Sequence, residues 1–324
     1  MSAGNSHEAL IYLSSQTSNY MDKTDILLCW QLLNYSRMPY RTLATKLNLS
    51  VNAVHKRVQL LVQTGVIRTF TTKLTLHFLK AIQVNAFGVC GIDSVEDIVA
   101  RVRGNDSIYW VAFAGGNYIY IGAYLRELSE LDAFTAFLGK ELSMAEPTVG
   151  LMAYPSTNVS TKDLTKIDWK IIQSLSRDSR KQTSDMAKEL HLSAKTIYRR
   201  LERMKQEYMV EFSLDWYPDV SDDILTLVHL TLKPTSDRKA VTQRLVSKYW
   251  PNVLFFFEFN NLPQLLIGFS WTNSMREVQK LRKELQEDSD LKQVSLNILF
   301  SGVMFPTWRD KLVAENAGQV QAEL

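Results

Sequence analysis

Cysteine is nearly absent: of 324 residues only Cys29 and Cys90 carry thiols, far apart and set among apolar neighbours. They supply neither a disulfide framework nor metal-ligand spacing, so both are expected to be buried thiols. Histidine is sparse as well. His7, His55, His77, His191 and His229 form no His-x-x-x-His or Cys/His cluster, and no metal site is expected. Long hydrophobic runs are missing too. No stretch approaches the roughly 18 apolar residues that would span a bilayer, and Met1 to Tyr20 lacks the basic lead and apolar core of a secretory signal. The expectation is a cytoplasmic protein with no membrane partner. No phosphate loop, nucleophile elbow or dinucleotide fingerprint is present. No catalytic residue or cofactor is therefore assigned, and the chain is expected not to be an enzyme.

What is present is the balance of a soluble globular protein, 46% hydrophobic and 22% charged, long enough for two or more domains. The net charge of +3 is unevenly placed: residues 21–70 carry +5 and residues 163–212 carry +3, leaving the rest of the chain at −5. Two basic segments in an otherwise acidic chain are what contacts to phosphates require.

Those two segments are copies of one another. KTDILLCWQLLNYSR at 23–37 returns as KIDWKIIQSLSRDSR at 166–180. Lys23, Asp25, Leu32, Ser36, Arg37, Ala44, Leu47, Leu49, Ser50 and Arg57 recur 143 positions later as Lys166, Asp168, Leu175, Ser179, Arg180, Ala187, Leu190, Leu192, Ser193 and Arg200. A gapless spacing of this kind indicates duplication. In the first copy Ile26, Leu27, Trp30 and Leu33 mark one helical face, Leu43, Ala44 and Leu47 a second, and Val54, Val58 and Leu61 a third. Between the second and third helices lie Asn48-Leu49-Ser50 and, in the second copy, His191-Leu192-Ser193; each serine can cap the helix that follows it. Two helices joined by a short turn with a buried leucine form a helix-turn-helix, whose second helix can enter the major groove of double-stranded DNA. Val66 to Thr72 and Met209 to Phe212 then read as wing strands.

A looser repeat follows each block. Alternating Ile82, Val84, Ala86 and Val228, Leu230, Leu232 predict strands, and a helix follows each of them. Two short strands come next, at Tyr109–Phe113 and Tyr118–Tyr124, matched by Val253–Phe259 and Gln264–Phe269. A second helix on Leu131, Phe134 and Leu138, or Val278, Leu281 and Leu285, leads to a last strand at Thr148–Tyr154 or Val294–Leu299. The β-α-β-β-α-β order predicts a ferredoxin-like sandwich. The fold class expected is therefore α+β, a pseudo-dimeric tandem repeat of two winged helix-turn-helix domains, each followed by a ferredoxin-like sandwich. The expected boundaries are a lead at 1–20, helix-turn-helix units at 21–75 and 163–218, sandwiches at 76–155 and 219–305, a polar linker at 156–162 and a tail at 306–324.

These residues resemble the Lrp/AsnC, or feast/famine, family of prokaryotic transcription regulators. The family's D-x-x-D-x-x-I-L pattern, which opens the first helix, is similar to Asp22, Asp25 and Leu28. Its recognition-helix pattern is similar to Leu49, Ser50, Val54, Arg57, Val58, Leu61, Gly65, Val66 and Ile67. The second copy keeps Asp168, Leu192, Ser193, Ile197, Arg200, Leu201 and Met204, and departs at Thr165 and Tyr208, where the first has Asp22 and Gly65. Ordinary members pair one helix-turn-helix with one ferredoxin-like ligand-binding domain and form dimers. The resemblance thus implies a sequence-specific DNA-binding transcription regulator in which two fused units pair as an internal pseudo-dimer, within a homo-oligomer. Siroheme decarboxylases resemble the same family, so a tetrapyrrole enzyme is one alternative, and a non-catalytic interaction or architectural protein is another.

With Val54, Val58 and Leu61 facing inward, the DNA-contact candidates on the first recognition helix are Asn52, His55, Lys56 and Gln59. Arg68 on the wing joins them. On the second they are Lys195, Thr196, Tyr198, Arg199 and Arg203. Arg41 and Thr42, with Thr183 and Ser184, begin the preceding helices and suit phosphate contacts. A solvated polar face is the alternative for all of them. Arg57 and Arg200 are expected instead to hold the recognition helices through charge-assisted bonds to Asp25 and Asp168. Gly116, Asn117 and Tyr118 fall where the family has a G-D-Y-D-like stretch near its effector site; a small-molecule effector site and a plain glycine hairpin turn both fit them.

Overall fold

The computed structural model describes residues 20–153 and 162–318. The lead before Tyr20, nearly all of the 156–162 linker and the tail beyond Gly318 lie outside the described residues.

Each copy opens with three helices. In the first these are α1 (Lys23–Asn34), α2 (Tyr40–Leu47) and α3 (Val51–Gln63), followed by strand β1 (Ile67–Leu74). Asp22 starts α1 by accepting from the Asp25 amide at 2.9 Å, while Asp25 accepts from the Asp22 amide at 3.2 Å. This reciprocal box satisfies two of the amides left free at a helix start. In the second copy α6 (Lys166–Leu175), α7 (Thr183–Glu189), α8 (Ala194–Gln206) and β6 (Val210–Trp216) repeat the order, with Thr165 and Asp168 forming the same box. The exchange of Asp22 for Thr165 thus leaves the helix start intact. At Tyr208, where the first copy has Gly65 (φ 82°), the backbone keeps its left-handed turn at φ 52°.

Strands β1 and β6, expected as separate wings, pair with each other as an antiparallel ribbon, Phe70 opposite Leu214 and Leu74 opposite Val210. The contacts beside the ribbon are two-fold symmetric. Ser36 and Ser179 share a hydrogen bond at 2.6 Å, Arg37 donates to the Ser179 and Lys181 carbonyls, and Arg180 donates to the Ser36 and Met38 carbonyls. The amides of Ser36 and Ser179 donate to Phe212 and Phe70, at 3.0 and 2.9 Å. Two helix-turn-helix units of one chain are thereby joined as a dimer would be.

The first sandwich comprises β2 (Ile82–Val89), α4 (Val95–Arg103), β3 (Ile108–Ala114), β4 (Tyr118–Leu125), α5 (Glu130–Leu142) and β5 (Thr148–Leu151). The second comprises β7 (Ile224–Leu232), α9 (Arg238–Tyr249), β8 (Val253–Glu258), β9 (Leu265–Thr272), α10 (Met275–Gln286) and β10 (Leu291–Met304). Both have the fourth-first-third-second strand order of the ferredoxin-like fold. They also join into one eight-stranded sheet, β5-β2-β4-β3-β10-β7-β9-β8. The join exists because β10 runs well past the expected Val294–Leu299 and pairs with β3 through Met304. At the other edge Met152 bridges Phe259, so the sheet curls back on itself. Gly150 permits this closure: a Cβ there would lie 2.2 Å from the Phe259 ring.

Helices α4 and α5 cover the outer face of the first half, packing Ile98, Val102, Phe134 and Leu138 on Ile119, Ile121 and Ala123. The inner faces meet each other through Phe87, Tyr120, Leu227, Phe259 and Ile267. The halves interlock: the first helix-turn-helix shares its core with Leu225, Leu254 and Trp271 of the second sandwich. A last helix, α11 (Trp308–Asn316), packs Val313 into the core of the second helix-turn-helix, while the Trp308 indole donates to the Tyr124 carbonyl at 2.8 Å.

Candidate nucleic-acid interface

The turns before the two recognition helices are built alike. Asn48 and His191 take left-handed backbones, φ 54° and 53°, and the amides of Leu49 and Leu192 close on Ala44 and Ala187 at 2.9 and 3.0 Å. Ser50 and Ser193 then cap α3 and α8 by accepting from Ala53 and Thr196, each at 3.1 Å. The cap orients the helix, and three apolar residues seat it: Val54, Val58 and Leu61 in α3, and Ile197, Leu201 and Met204 in α8, are all buried.

What remains is an outward face on each helix. Asn52, His55, Lys56 and Gln59 are exposed on α3, beside exposed Arg41 and Thr42 at the start of α2. Lys195, Tyr198 and Arg199 are exposed on α8, with Ser184 exposed and Thr183 half-buried at the start of α7. Tyr198 stands 62% open to solvent. Thr196 is half-buried and its hydroxyl bonds that of Ser193 at 2.9 Å, so it belongs to the cap. Arg68 is exposed but its guanidinium lies over the Tyr217 ring at 3.5 Å, which places it on the ribbon beside the sandwiches.

Arg203 does not join the outward face. Its guanidinium bonds Asp168 at 2.7 Å, next to Arg200 at 3.0 Å, because residues three apart on a helix are neighbours. The two copies solve one problem in opposite ways. Arg57 binds two acids, Asp22 and Asp25, both at 2.8 Å. Asp168, fully buried, binds two arginines. Each arrangement ties the recognition helix to the first helix of its unit. Burial works against the charge of Asp168, but hydrogen bonds from Thr165 and Arg200 and the charge of Arg203 outweigh it and hold its carboxyl below the ordinary aspartate range. The Ser-Arg pairs at 36–37 and 179–180, which clasp the two units together, were visible in the sequence only as repeated letters.

The three effector-site candidates are divided by the sheet. Gly116 and Asn117, both with positive φ, form the turn between β3 and β4 and border a small cavity on the outer face with Asp93, Phe113 and Phe300. Tyr118 points to the inner face, its ring 6.2 Å from that of His229. There Tyr120 shares a hydrogen bond with His229 Nε2 and accepts one from Asn297, both at 2.6 Å. Burial pushes the His229 pKa down to about 4 and that of Tyr120 up. This inner polar group, drawn from strands 109 positions apart, has no local sequence signal.

Among the described residues no His/Cys/Asp/Glu group is placed to hold a metal ion, and no helix is long and apolar enough to cross a membrane.

Comparison with known proteins agrees with this geometry. Residues 164–205 match the model of the AsnC-type helix-turn-helix domain, and residues 21–68 that of a winged helix-turn-helix DNA-binding family. An uncharacterized HTH-type transcriptional regulator of Pyrococcus furiosus is 30% identical over 119 residues, covering 35% of this chain and 78% of the relative. The siroheme decarboxylase NirDL is similar in structure over 91% of this chain and 98% of its own, with TM-score 0.58 and 13% identity. Its complex with an iron-uroporphyrin III analogue gives TM-score 0.57 and 12% identity, over 91% and 97%. At that identity the likeness is one of fold.

Proposed function

The chain belongs to the Lrp/AsnC family of helix-turn-helix transcription regulators, and from that premise we propose that one molecule reads one DNA site with both of its recognition helices. The observation that carries the reading is the joined frame: two capped, buried-backed helices, α3 and α8, fixed by the β1–β6 ribbon and the Ser-Arg clasp. In a helix-turn-helix dimer the half-sites lie about one helical turn, roughly 34 Å, or a multiple of it apart. Because the two faces differ, the site is asymmetric. Asn52 and Lys56 suit base edges on one half-site. Lys195, Arg199 and Tyr198 give the other a stronger hold on phosphate. Arg41, Thr42, Thr183 and Ser184 flank them as backbone contacts. The chain acts in the cytoplasm without catalysis, and further copies assemble on it as in other family members.

A second reading, a tetrapyrrole enzyme, draws on the fold shared with NirDL. The cavity of about 270 Å³ beside the inner sheet faces supports it little, since Asp219 is the one charged residue in its lining, a poor match for a large ring carrying many carboxylates, whereas a cleft of about 690 Å³ elsewhere carries Lys23, Lys248 and Lys280. Selection of bound fragments from the source genome tests the proposal. A shared sequence motif is expected, and recovery of random fragments at moderate salt would sink it.

A further inference from the structure

Most contacts between the two helix-turn-helix units come in matched pairs. Arg37 donates to the Ser179 and Lys181 carbonyls and Arg180 to those of Ser36 and Met38. Each guanidinium also lies over a phenylalanine of the ribbon, Arg37 at 5.8 Å from the Phe212 centroid and Arg180 at 5.7 Å from that of Phe70. Among the described residues Arg180 covers a second ring that Arg37 does not match. Its guanidinium is 4.4 Å from the centroid of Tyr40, the first residue of α2. The Tyr40 ring in turn meets the His55 imidazole edge-on, with centroids 5.5 Å apart and planes at 80°.

Three groups thus stand in line, from the clasp arginine of the second unit to the exposed face of the first recognition helix. The line has no counterpart in the other direction, because 143 positions on Thr183 stands for Tyr40 and Tyr198 for His55. Helix α8 meets the first unit at its last turn instead, with Lys205 over the Tyr35 ring at 4.5 Å. Each link in the line has a physical basis. Two carbonyls hold the Arg180 guanidinium in place, a cation over an aromatic face is attracted to it, and an edge-on ring pair adds to the hold. An exposed side chain held in place before binding loses less freedom when it binds.

We propose that Tyr40 is a positioning residue for His55, and that Arg180 of the second unit fixes Tyr40 for this task, so that the clasp between the units presets the outward face of the first recognition helix. Tyr198 on the second helix receives no such setting. The first half-site is then read by a side chain whose pose depends on the other unit, which makes the frame a part of recognition as well as a support for it. The consequence for DNA rests on the DNA-binding reading; the holding of His55 does not.

Magnetic resonance of the full chain with labelled histidine, in the absence of DNA, separates the two. The His55 ring resonances should move in Tyr40→Thr, which removes the ring, and stay near their wild-type positions in Tyr40→Phe, which keeps it. They should also move in Arg180→Met and not in Arg37→Met, which loosens the same clasp from the other side. On a selected DNA fragment Tyr40→Thr should weaken binding about fivefold, the scale of one aromatic pair, and should have no effect in a His55→Ala background, since a residue that acts through another loses its effect when that other is gone. Unmoved resonances in Tyr40→Thr, or a loss of affinity that persists with His55→Ala, overturn the role of Tyr40. Equal movement in Arg37→Met and Arg180→Met overturns that of Arg180. Resonances that move as expected in a chain that binds no DNA support the positioning and sink the DNA-binding reading.

Discussion

Replacing Asp168 with alanine should destabilise the second helix-turn-helix far more than the matching change in the first. Asp168 is fully buried, accepts from Arg200 at 3.0 Å and Arg203 at 2.7 Å, and supports the Thr165 cap at 2.8 Å. Its removal leaves two guanidinium groups side by side without a counterion. Removing one partner of a buried ion pair costs about 3–5 kcal/mol. The arginine side chains are 22% and 31% exposed, so water screens part of the loss and the low end, about 3 kcal/mol, applies. Asp25→Ala leaves Arg57 still paired with Asp22 at 2.8 Å, and the loss there should be about 1 kcal/mol. Urea unfolding of wild type and both variants at pH 7 measures the difference. The reasoning fails if Asp25→Ala is as damaging as Asp168→Ala, or if Asp168→Ala stays within 0.5 kcal/mol of wild type, the ordinary spread for a surface change.

Acid should weaken the contact between the inner faces of the sheet through His229. Its folded pKa is about 4 against an ordinary 6.5, so the unfolded chain takes up a proton first as pH falls, and stability declines from pH 6.5 down to about 4. The decline attributable to this group is on the order of 3 kcal/mol; His229→Gln should remove it, and identical pH slopes for the two proteins would refute the assignment. On DNA, Lys195→Ala with Arg199→Ala should weaken binding by a similar factor on every sequence and flatten its salt dependence, as loss of phosphate contacts does. Asn52→Ala should relax sequence preference at one position and cost about 1–3 kcal/mol on the preferred site alone; uniform weakening across sequences would count against base contact. Arg37→Ala and Arg180→Ala should be non-additive in unfolding, because both brace the same Ser36–Ser179 contact.

The helix-turn-helix units were legible because their signals are local. Ser50 and Ser193, the spacing of Val54, Val58 and Leu61, and the 143-residue offset each constrain a few neighbouring residues. Arg57 and Arg200 could be assigned to their aspartates on the same ground. Arg203 could not, since an outward helix position and one that folds back on Asp168 differ only by the reach of the side chain; the first copy offers Leu60 there and no warning. The ribbon was read as two wings because an alternating strand states which faces it has and not which strand it pairs with. The extension of β10 to β3 and the meeting of Tyr120 with His229 were hidden for the same reason. Both depend on how the two halves close on each other, a long-range geometry that no short window carries.

The central claim is that a single chain presents two unlike recognition helices on one frame. Footprinting of a selected DNA fragment with hydroxyl radicals tests it directly. One chain should protect two segments on the same face of the duplex, about one helical turn or a multiple of it apart, with Lys195→Ala and Arg199→Ala erasing one segment and Asn52→Ala and Lys56→Ala the other. A single protected segment, or loss of both segments together in either variant, would contradict it.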